Sequence, residues 1–223
     1  GNSAVAGAMV SDSDTIPGTC GGSAPYSITM DDVTGDFSGT LSFNGYCDDG
    51  DTLTGSVNFS GNINPVTLEA TSISLSSSSL TVVSSADSFT IAGSIAFTGI
   101  TSNSENLLIT LDIRDGAGTT YRFQDFKFSM TYDSPSVGTD RMHAVSGKFY
   151  HPAYGYVDVA STSDFLTLST SDYPYSGVLV VTGSGGIRAR LTANSDSQTF
   201  TVVVDANGDG IYAEPGTIYR WDE

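Results

Sequence analysis

Apolar and polar residues alternate with a period of two along most of the chain, and no segment keeps the spacing of an amphipathic helix for three turns. Side chains of a β-strand point alternately to opposite faces of its sheet, so this alternation predicts strands with one apolar and one polar face. We therefore expect an all-β, antiparallel protein with essentially no helix. The clearest predicted strands are residues 40–43, 56–60, 91–97, 107–113, 121–130, 178–182, 187–192 and 200–204.

Several of these strands share a frame in which a glycine precedes and another follows the alternating residues. The frame is clear in residues 39–45, 55–61 and 93–99, and less regular in 177–183. We interpret these glycines as turns or bends at the strand ends. The irregular spacing between frames favours a meander of hairpins over a fixed-period repeat. The predicted fold is an antiparallel meander that forms a curled sheet, a sandwich or an open barrel.

Turn-forming dipeptides and one turn-rich break set the predicted domain organisation. Asp49-Gly50, Asp115-Gly116, Asn207-Gly208 and Asp209-Gly210 are all favoured in tight turns. Residues 1–19 are small and polar, and we expect a flexible N-terminal tether there. Residues 20–223 are expected to form a single all-β domain, with two lobes meeting near 133–140 as the alternative.

The two cysteines, Cys20 and Cys47, indicate the compartment. Both lie in glycine-rich surroundings, and the even count predicts one disulfide, with two unrelated buried thiols as the alternative. A disulfide is typical of an oxidising compartment. No apolar run approaches the ~18 residues of a membrane-spanning helix, so we expect no transmembrane span. The expected location is extracytoplasmic (periplasm, outer-membrane surface or secreted), and a lipid anchor upstream of residue 1 stays open.

The charge balance narrows the classes of partner. The chain has 25 acidic residues against eight lysines and arginines, a formal net charge of -17. Such a field repels phosphate backbones, so we expect no nucleic-acid partner. The same acidity suits a protein among divalent cations, and it equally suits simple solubility.

One acidic segment, residues 205–210, places three oxygen-bearing side chains at alternate positions around a glycine turn. The first half of an EF-hand loop has this spacing, which makes calcium the candidate cofactor. The predicted ligands are Asp205, Asn207, Asp209, the carbonyl of Ile211, and Glu214. However, the twelfth position, where the loop needs a bidentate glutamate, is Gly216. The alternative is a hairpin turn in which Asn-Gly and Asp-Gly supply positive φ angles.

Tyrosines cluster with prolines in two nearby segments, residues 150–156 and 173–175. Tyrosine rings held in rigid loops form a stacking platform for a sugar or a peptide, with hydroxyl groups for orientation. The predicted ligand-binding residues are Tyr150, Tyr154, Tyr156, Tyr173 and Tyr175. The alternative is that these rings cover the open end of the sheet.

Sequence motifs of nucleophilic catalysis and of phosphate loops are missing from the chain. A glycosidase needs two carboxylates ~5–10 Å apart, which any cross-strand pair of acids could supply. The strand acids are Glu69, Asp112, Asp125 and Asp158. We favour exposed ion pairs with neighbouring basic residues for these acids, and name no catalytic residue.

The C-terminal third resembles exported, often lipoprotein-like, bacterial β-rich proteins of uncharacterised function. The residues that carry the resemblance are 176–192, 202–210 and the final Trp221-Asp222-Glu223. The resemblance implies a β fold and an extracytoplasmic compartment, and no activity. We expect a non-enzymatic secreted or cell-envelope protein that acts as a binding or structural surface module, with weak calcium binding. The alternatives are a polysaccharide-acting enzyme and a periplasmic carrier of an apolar ligand, so the expected partner is a surface polysaccharide, a protein or an apolar ligand.

Overall fold

The computed structural model describes residues 8–85, 87–132, 139–213 and 215–222. Fourteen β-strands form a meander in which the sheet order follows the sequence. The only helical element in the described ranges is a 3-10 turn at Ser184–Gly186. The predicted all-β meander is therefore confirmed. The strands are β1 (Met9–Pro17), β2 (Gly21–Asp31), β3 (Asp36–Asp48), β4 (Asp51–Ile63), β5 (Ala70–Val83), β6 (Ser88–Thr98), β7 (Ser104–Asp115), β8 (Thr120–Tyr132), β9 (Thr139–His151), β10 (Gly155–Leu168), β11 (Pro174–Gly183), β12 (Arg188–Ala193), β13 (Thr199–Asp205) and β14 (Thr217–Arg220).

The cross-strand register shows the two faces that the alternation predicts. Residues directly opposite each other on neighbouring strands share a face of the sheet. From β3 to β6, one row of opposite residues is Gly39, Phe59, Leu75 and Ile95. The adjacent row, on the other face, is Thr40, Asn58, Ser76 and Ser94. This part of the sheet therefore has an apolar face and a face rich in hydroxyl and amide groups.

Most glycines of the repeated frame lie inside strands, which corrects their interpretation as strand ends, whereas Gly99 follows β6 and Gly183 ends β11. β3 and β4 have 13 residues each, and both run through the frame glycines. Gly45 and Gly55 have positive φ angles of 60° and 130° and lie at register shifts, so these two do bend their strands. Gly39 instead makes room for the Phe59 ring, which lies directly against it. The strands are therefore much longer than the sequence pattern suggested.

The predicted tight turn at Asp49-Gly50 joins β3 to β4. Asp48 pairs with Asp51, which leaves Asp49 and Gly50 as the two turn residues. Their φ angles of 48° and 90° are both positive, as a type I′ hairpin turn requires. The dipeptide therefore sets this hairpin, as predicted.

The segment expected to be a tether contains strand β1. All nine residues of Met9–Pro17 pair with β2. On one face of β1, Asp12 and Asp14 stand between Val10 and Ile16, so few apolar residues mark the alternation. The Tyr26 hydroxyl of β2 donates to Asp12 Oδ2 at 3.0 Å. β1 is therefore held against β2 by cross-strand hydrogen bonds and not by burial of apolar side chains.

The predicted disulfide between Cys20 and Cys47 is formed. It ties the connection between β1 and β2 to β3, where the Cys20 amide also donates to the Cys47 carbonyl at 3.2 Å. The bond is typical of an oxidising, extracytoplasmic environment. No helix in the described part of the chain has the length and apolar character needed to cross a membrane.

The chain divides into two compact units. The first comprises Gly1–Ile100 and Thr110–Tyr121, and the second Thr101–Ile109 and Arg122–Glu223. This division crosses β7 and β8 and does not fall near residues 133–140, of which 133–138 lie outside the described residues. Among the described residues, the buried apolar side chains are Ala24 in the first unit and Phe126, Val145, Phe165, Ala193 and Val203 in the second.

Candidate functional site

Three of the five predicted ligand-binding tyrosines meet on the hairpin of β9 and β10. Tyr150 and Tyr156 are directly opposite each other, so their side chains share one face of the sheet. Tyr154 lies in the turn between the two strands. The three side chains are 42%, 45% and 84% exposed for Tyr150, Tyr156 and Tyr154, respectively. This hairpin therefore presents a cluster of solvent-facing aromatic rings.

The turn sequence from His151 to Gly155 explains how Tyr154 is held. The Tyr154 amide donates to the His151 carbonyl at 3.1 Å, and the Ala153 amide donates to His151 Nδ1 at 3.1 Å. The φ angle of Gly155 is 81°, a conformation that glycine adopts without strain. The ring centroids of His151 and Tyr154 are 4.6 Å apart. The histidine thus supports the exposed ring through both its backbone and its side chain.

Lys148 adds a cation to this cluster that the sequence analysis did not single out. Its Nζ lies 3.9 Å from the centroid of the Tyr156 ring and 2.6 Å from Asp158 Oδ1. Lys148 and Asp158 are directly opposite each other, two pairs along from Tyr150 and Tyr156 and therefore on the same face. The period-two spacing of Lys148 to Tyr150, and of Tyr156 to Asp158, places each pair on one face of its strand, but it does not give the register that brings the two strands together.

Strand β8 extends the same face. Arg122 is opposite Tyr150, Gln124 is opposite Lys148, and Lys127 is opposite Ser146 after a bulge. These strands form a concavity of about 320 Å³ beside the tyrosines, and its lining includes Gln124, Asp125, Lys127, Ser146, Lys148 and Asp158. We call this face the tyrosine–lysine surface, defined by Arg122, Gln124, Lys127, Lys148, Tyr150, Tyr154, Tyr156 and Asp158.

Aromatic packing on the other face of these strands fixes which side chains point outward. The Phe123 ring packs against Phe149 and Phe126, with centroids 5.1 and 5.5 Å apart. Phe126 is buried and lies against Gly147, where a Cβ would meet its ring. Since Phe149 stands between Lys148 and Tyr150 in the chain, its burial on one face directs both of these side chains to the other.

Tyr173 and Tyr175 do not join this surface. They flank Pro174, which pairs with Thr167 near the far end of β10, whereas Val157 next to Tyr156 pairs with Gly183. The two tyrosine groups are therefore about 33 Å apart along the strand at the ordinary rise per residue. Tyr173 stacks on Trp221, with centroids 6.3 Å apart and planes inclined by 10°. Trp221 in turn contacts Phe200 at 4.5 Å, so this second group packs the C-terminal strands together.

The acidic turn after β13 is held by hydrogen bonds within itself. Asp205 is fully buried, and its carboxylate accepts the amides of Gly208 at 2.8 Å and Gly210 at 2.9 Å. Desolvation acts to raise the pKa of Asp205, but the backbone donors, Gly210 first, outweigh it and lower the pKa below its usual value. Asp209 Oδ1 accepts the Ile211 amide at 2.8 Å, and Asn207 donates to Asp209 Oδ2 at 2.9 Å.

Three predicted calcium ligands, Asp205, Asn207 and Asp209, take part in these hydrogen bonds, which do not test calcium binding. Positive φ angles at Gly208 and Gly210, 76° and 88°, match the alternative of a turn built on Asn-Gly and Asp-Gly. Glu214 lies outside the described residues. Within the described ranges, no group of three or more His, Cys, Asp or Glu side chains is arranged to hold a metal ion. Calcium binding at Asp205, Asn207, Asp209, Ile211 and Glu214 stays a prediction.

In comparisons with protein-family models, with curated proteins and with solved structures, the chain matches no family, no protein and no structure.

Proposed function

We propose that this chain is a non-enzymatic, extracytoplasmic β protein that binds a polysaccharide through the tyrosine–lysine surface. The observation that carries the proposal is the exposure of three tyrosines on one hairpin, with Tyr150 and Tyr156 directly opposite each other. Exposed aromatic rings stack on the apolar faces of sugar rings, and neighbouring polar groups orient the sugar hydroxyls. Asp158, Lys148 and Gln124 supply such groups beside the rings.

Support for the compartment comes from the Cys20–Cys47 disulfide, which persists in oxidising environments. The resemblance of the C-terminal third to exported, lipoprotein-like bacterial proteins favours the bacterial cell envelope, as a periplasmic, outer-membrane-surface or secreted protein. A polysaccharide is a partner that such a location provides.

Lowered carboxyl pKa values favour a protein that binds a polysaccharide without cleaving it. Four acids in the described part of the chain, Asp31, Asp196, Asp205 and Asp222, have a pKa that is lowered from its usual value. A glycosidase acid needs the opposite shift, because it must stay protonated to donate to the leaving oxygen. These four carboxylates serve as hydrogen-bond acceptors in turns and beside Arg220.

Affinity electrophoresis in gels that contain neutral or acidic polysaccharides tests this proposal. We expect at least one polymer to retard the parent protein, and Tyr154→Ala and Tyr156→Ala to weaken that retardation about tenfold or more, as loss of a stacking ring does. Ile211→Ala is the matched control, since Ile211 is also a large turn residue and is 74% exposed. It should migrate as the parent does.

The same gels and a second assay separate the proposal from its alternatives. Equal retardation of the parent protein and the tyrosine variants would show that the polysaccharide binds at another surface of the protein. Release of new reducing ends during incubation with the polymer would instead make the chain a polysaccharide-acting enzyme. Binding of a fluorescent apolar probe with no polymer retarding the protein would favour the carrier.

A further inference from the structure

The tyrosine–lysine surface carries three of the few cations of this acidic chain. The chain has eight such residues and a net charge of -17. Three of the eight, Arg122, Lys127 and Lys148, share the outward face of β8 and β9. These include both lysines of the protein. Two acids, Asp125 and Asp158, line the same concavity, so three cations stand beside two acids here, whereas the whole chain has eight lysines and arginines against 25 acids.

The cations lie where a bound sugar would present its substituents. Arg122 is directly opposite Tyr150, and Lys148 Nζ lies 3.9 Å from the Tyr156 ring centroid. Lys148 pairs with Asp158 at 2.6 Å, and Asp125 also lines the concavity. The two side chains are 37% and 58% exposed, and an exposed pair of this kind contributes little, so a ligand carboxylate can replace Asp158 at Lys148.

We propose that the polysaccharide recognised by this surface is acidic, built from uronate sugars whose carboxylates bind Lys148 and Arg122 while the sugar rings stack on Tyr150 and Tyr156. This inference rests on the proposed function and adds the class of ligand to it. Salt screens charges beyond about 8 Å at physiological ionic strength. The local cations therefore act on the bound carboxylates, while the acids elsewhere on the protein are largely screened.

A matched pair of polymers tests the inference. Polygalacturonate and the same polymer after reduction of its carboxyl groups to alcohols present the same rings with and without charge. We expect the parent protein to bind polygalacturonate about fivefold or more tightly than the reduced polymer, a difference of the size that one exposed charge pair gives. Addition of salt should weaken the binding of the charged polymer and leave that of the reduced polymer unchanged.

Variants of the surface connect this preference to Lys148. Lys148→Gln should remove most of the preference while retaining binding of the reduced polymer, and Lys148→Arg should keep the preference. Asp158→Asn should strengthen binding of polygalacturonate, because it frees Lys148 from its ion pair. Arg220→Gln is the control, since Arg220 is a half-exposed cation on β14 that pairs with Asp222.

The outcomes distinguish this inference from the proposed function. Equal binding of the two polymers by the parent, or an equal loss in Lys148→Gln and Arg220→Gln, would overturn the acidic ligand and leave polysaccharide binding standing. Failure of the parent to bind any polysaccharide would overturn both. Binding of polyaspartate as tight as that of polygalacturonate would show a general polyanion site and would also overturn the inference.

Discussion

At the residue scale, glycines and phenylalanines on neighbouring strands are packed as pairs. The rings of Phe59 and Phe37 lie against Gly39 and Gly61 in the first unit, and in both pairs the two residues are directly opposite each other. The second unit repeats the arrangement with Phe126 at Gly147 and Phe165 at Gly177. A strand glycine leaves a gap beside its backbone that an aromatic ring from the next strand fills. The glycine frames of the sequence are thus a packing feature.

This packing predicts that Gly39→Ala destabilises the protein by about 1–3 kcal/mol, as overpacking of a filled site does. The added Cβ would meet the Phe59 ring and the Ser27 carbonyl oxygen. Gly183→Ala is the matched control, because its Cβ would have no neighbour nearer than the Ile187 oxygen at 3.8 Å and its φ of -85° is ordinary. Urea unfolding should show a lower midpoint for the first variant only. Equal midpoints would mean that the ring can move away from Gly39.

The alternation of apolar and polar residues predicts the face on which a side chain lies, but not its neighbour on the next strand. It predicted correctly that Leu, Val and Phe share one face and Ser, Thr and Asn the other. It could not predict that Lys148 contacts Tyr156, because that contact depends on which residue of β10 lies opposite Lys148. Register is set by turns and bulges, and the bulge between Gln124 and Lys127 has no clear sequence signal.

At the scale of elements, the two tyrosine segments that the sequence places close together belong to opposite ends of one long strand. β10 has 14 residues, so the 16 residues between Tyr156 and Tyr173 are mostly used in traversing the sheet. The sequence pattern alone predicts only a short strand here, residues 156–160, which would leave the two tyrosine segments close together. Strand length therefore decides that Tyr150, Tyr154 and Tyr156 form the candidate site and that Tyr173 packs against Trp221.

The acidic turn after β13 provides a prediction on calcium. Because the Asp205 carboxylate already accepts two backbone amides, we expect the turn to be folded without a cation, and a chelator to leave the melting midpoint unchanged. A midpoint that rises in millimolar calcium and falls back with chelator would contradict this expectation and support the calcium site. Asp209→Asn is the control variant, since it should abolish such a rise while keeping the size of the side chain.

At the scale of the whole molecule, lowered carboxyl pKa values predict how stability depends on pH. They occur in both units, at Asp31 in the first and at Asp196, Asp205 and Asp222 in the second. The causes are mainly backbone donors for Asp31 and Asp196 and the Arg220 side chain for Asp222. Near the usual pKa of 3.8 the folded chain therefore binds fewer protons than the unfolded chain.

Since these pKa values are lower in the folded state, their contribution to stability is complete above the usual pKa and is lost as the pH falls through the lowered values. We expect the urea midpoint to fall between about pH 5 and pH 2. Asp205→Asn should show a smaller fall over the same interval, because it removes one of the shifted groups. An acid profile identical to that of the parent would show that Asp205 does not contribute to this dependence.

The sequence by itself determined the β class, the two chemically distinct faces, the Cys20–Cys47 pair and the tight turn at Asp49-Gly50. These follow from local rules, since side chains alternate along a strand and turns depend on the φ angles of one or two residues. Only the tertiary structure decided which tyrosines meet, that Lys148 lies over Tyr156, and that Asp205 is buried. Those facts depend on strand length and cross-strand register, which arise from bulges and packing between residues distant in the chain.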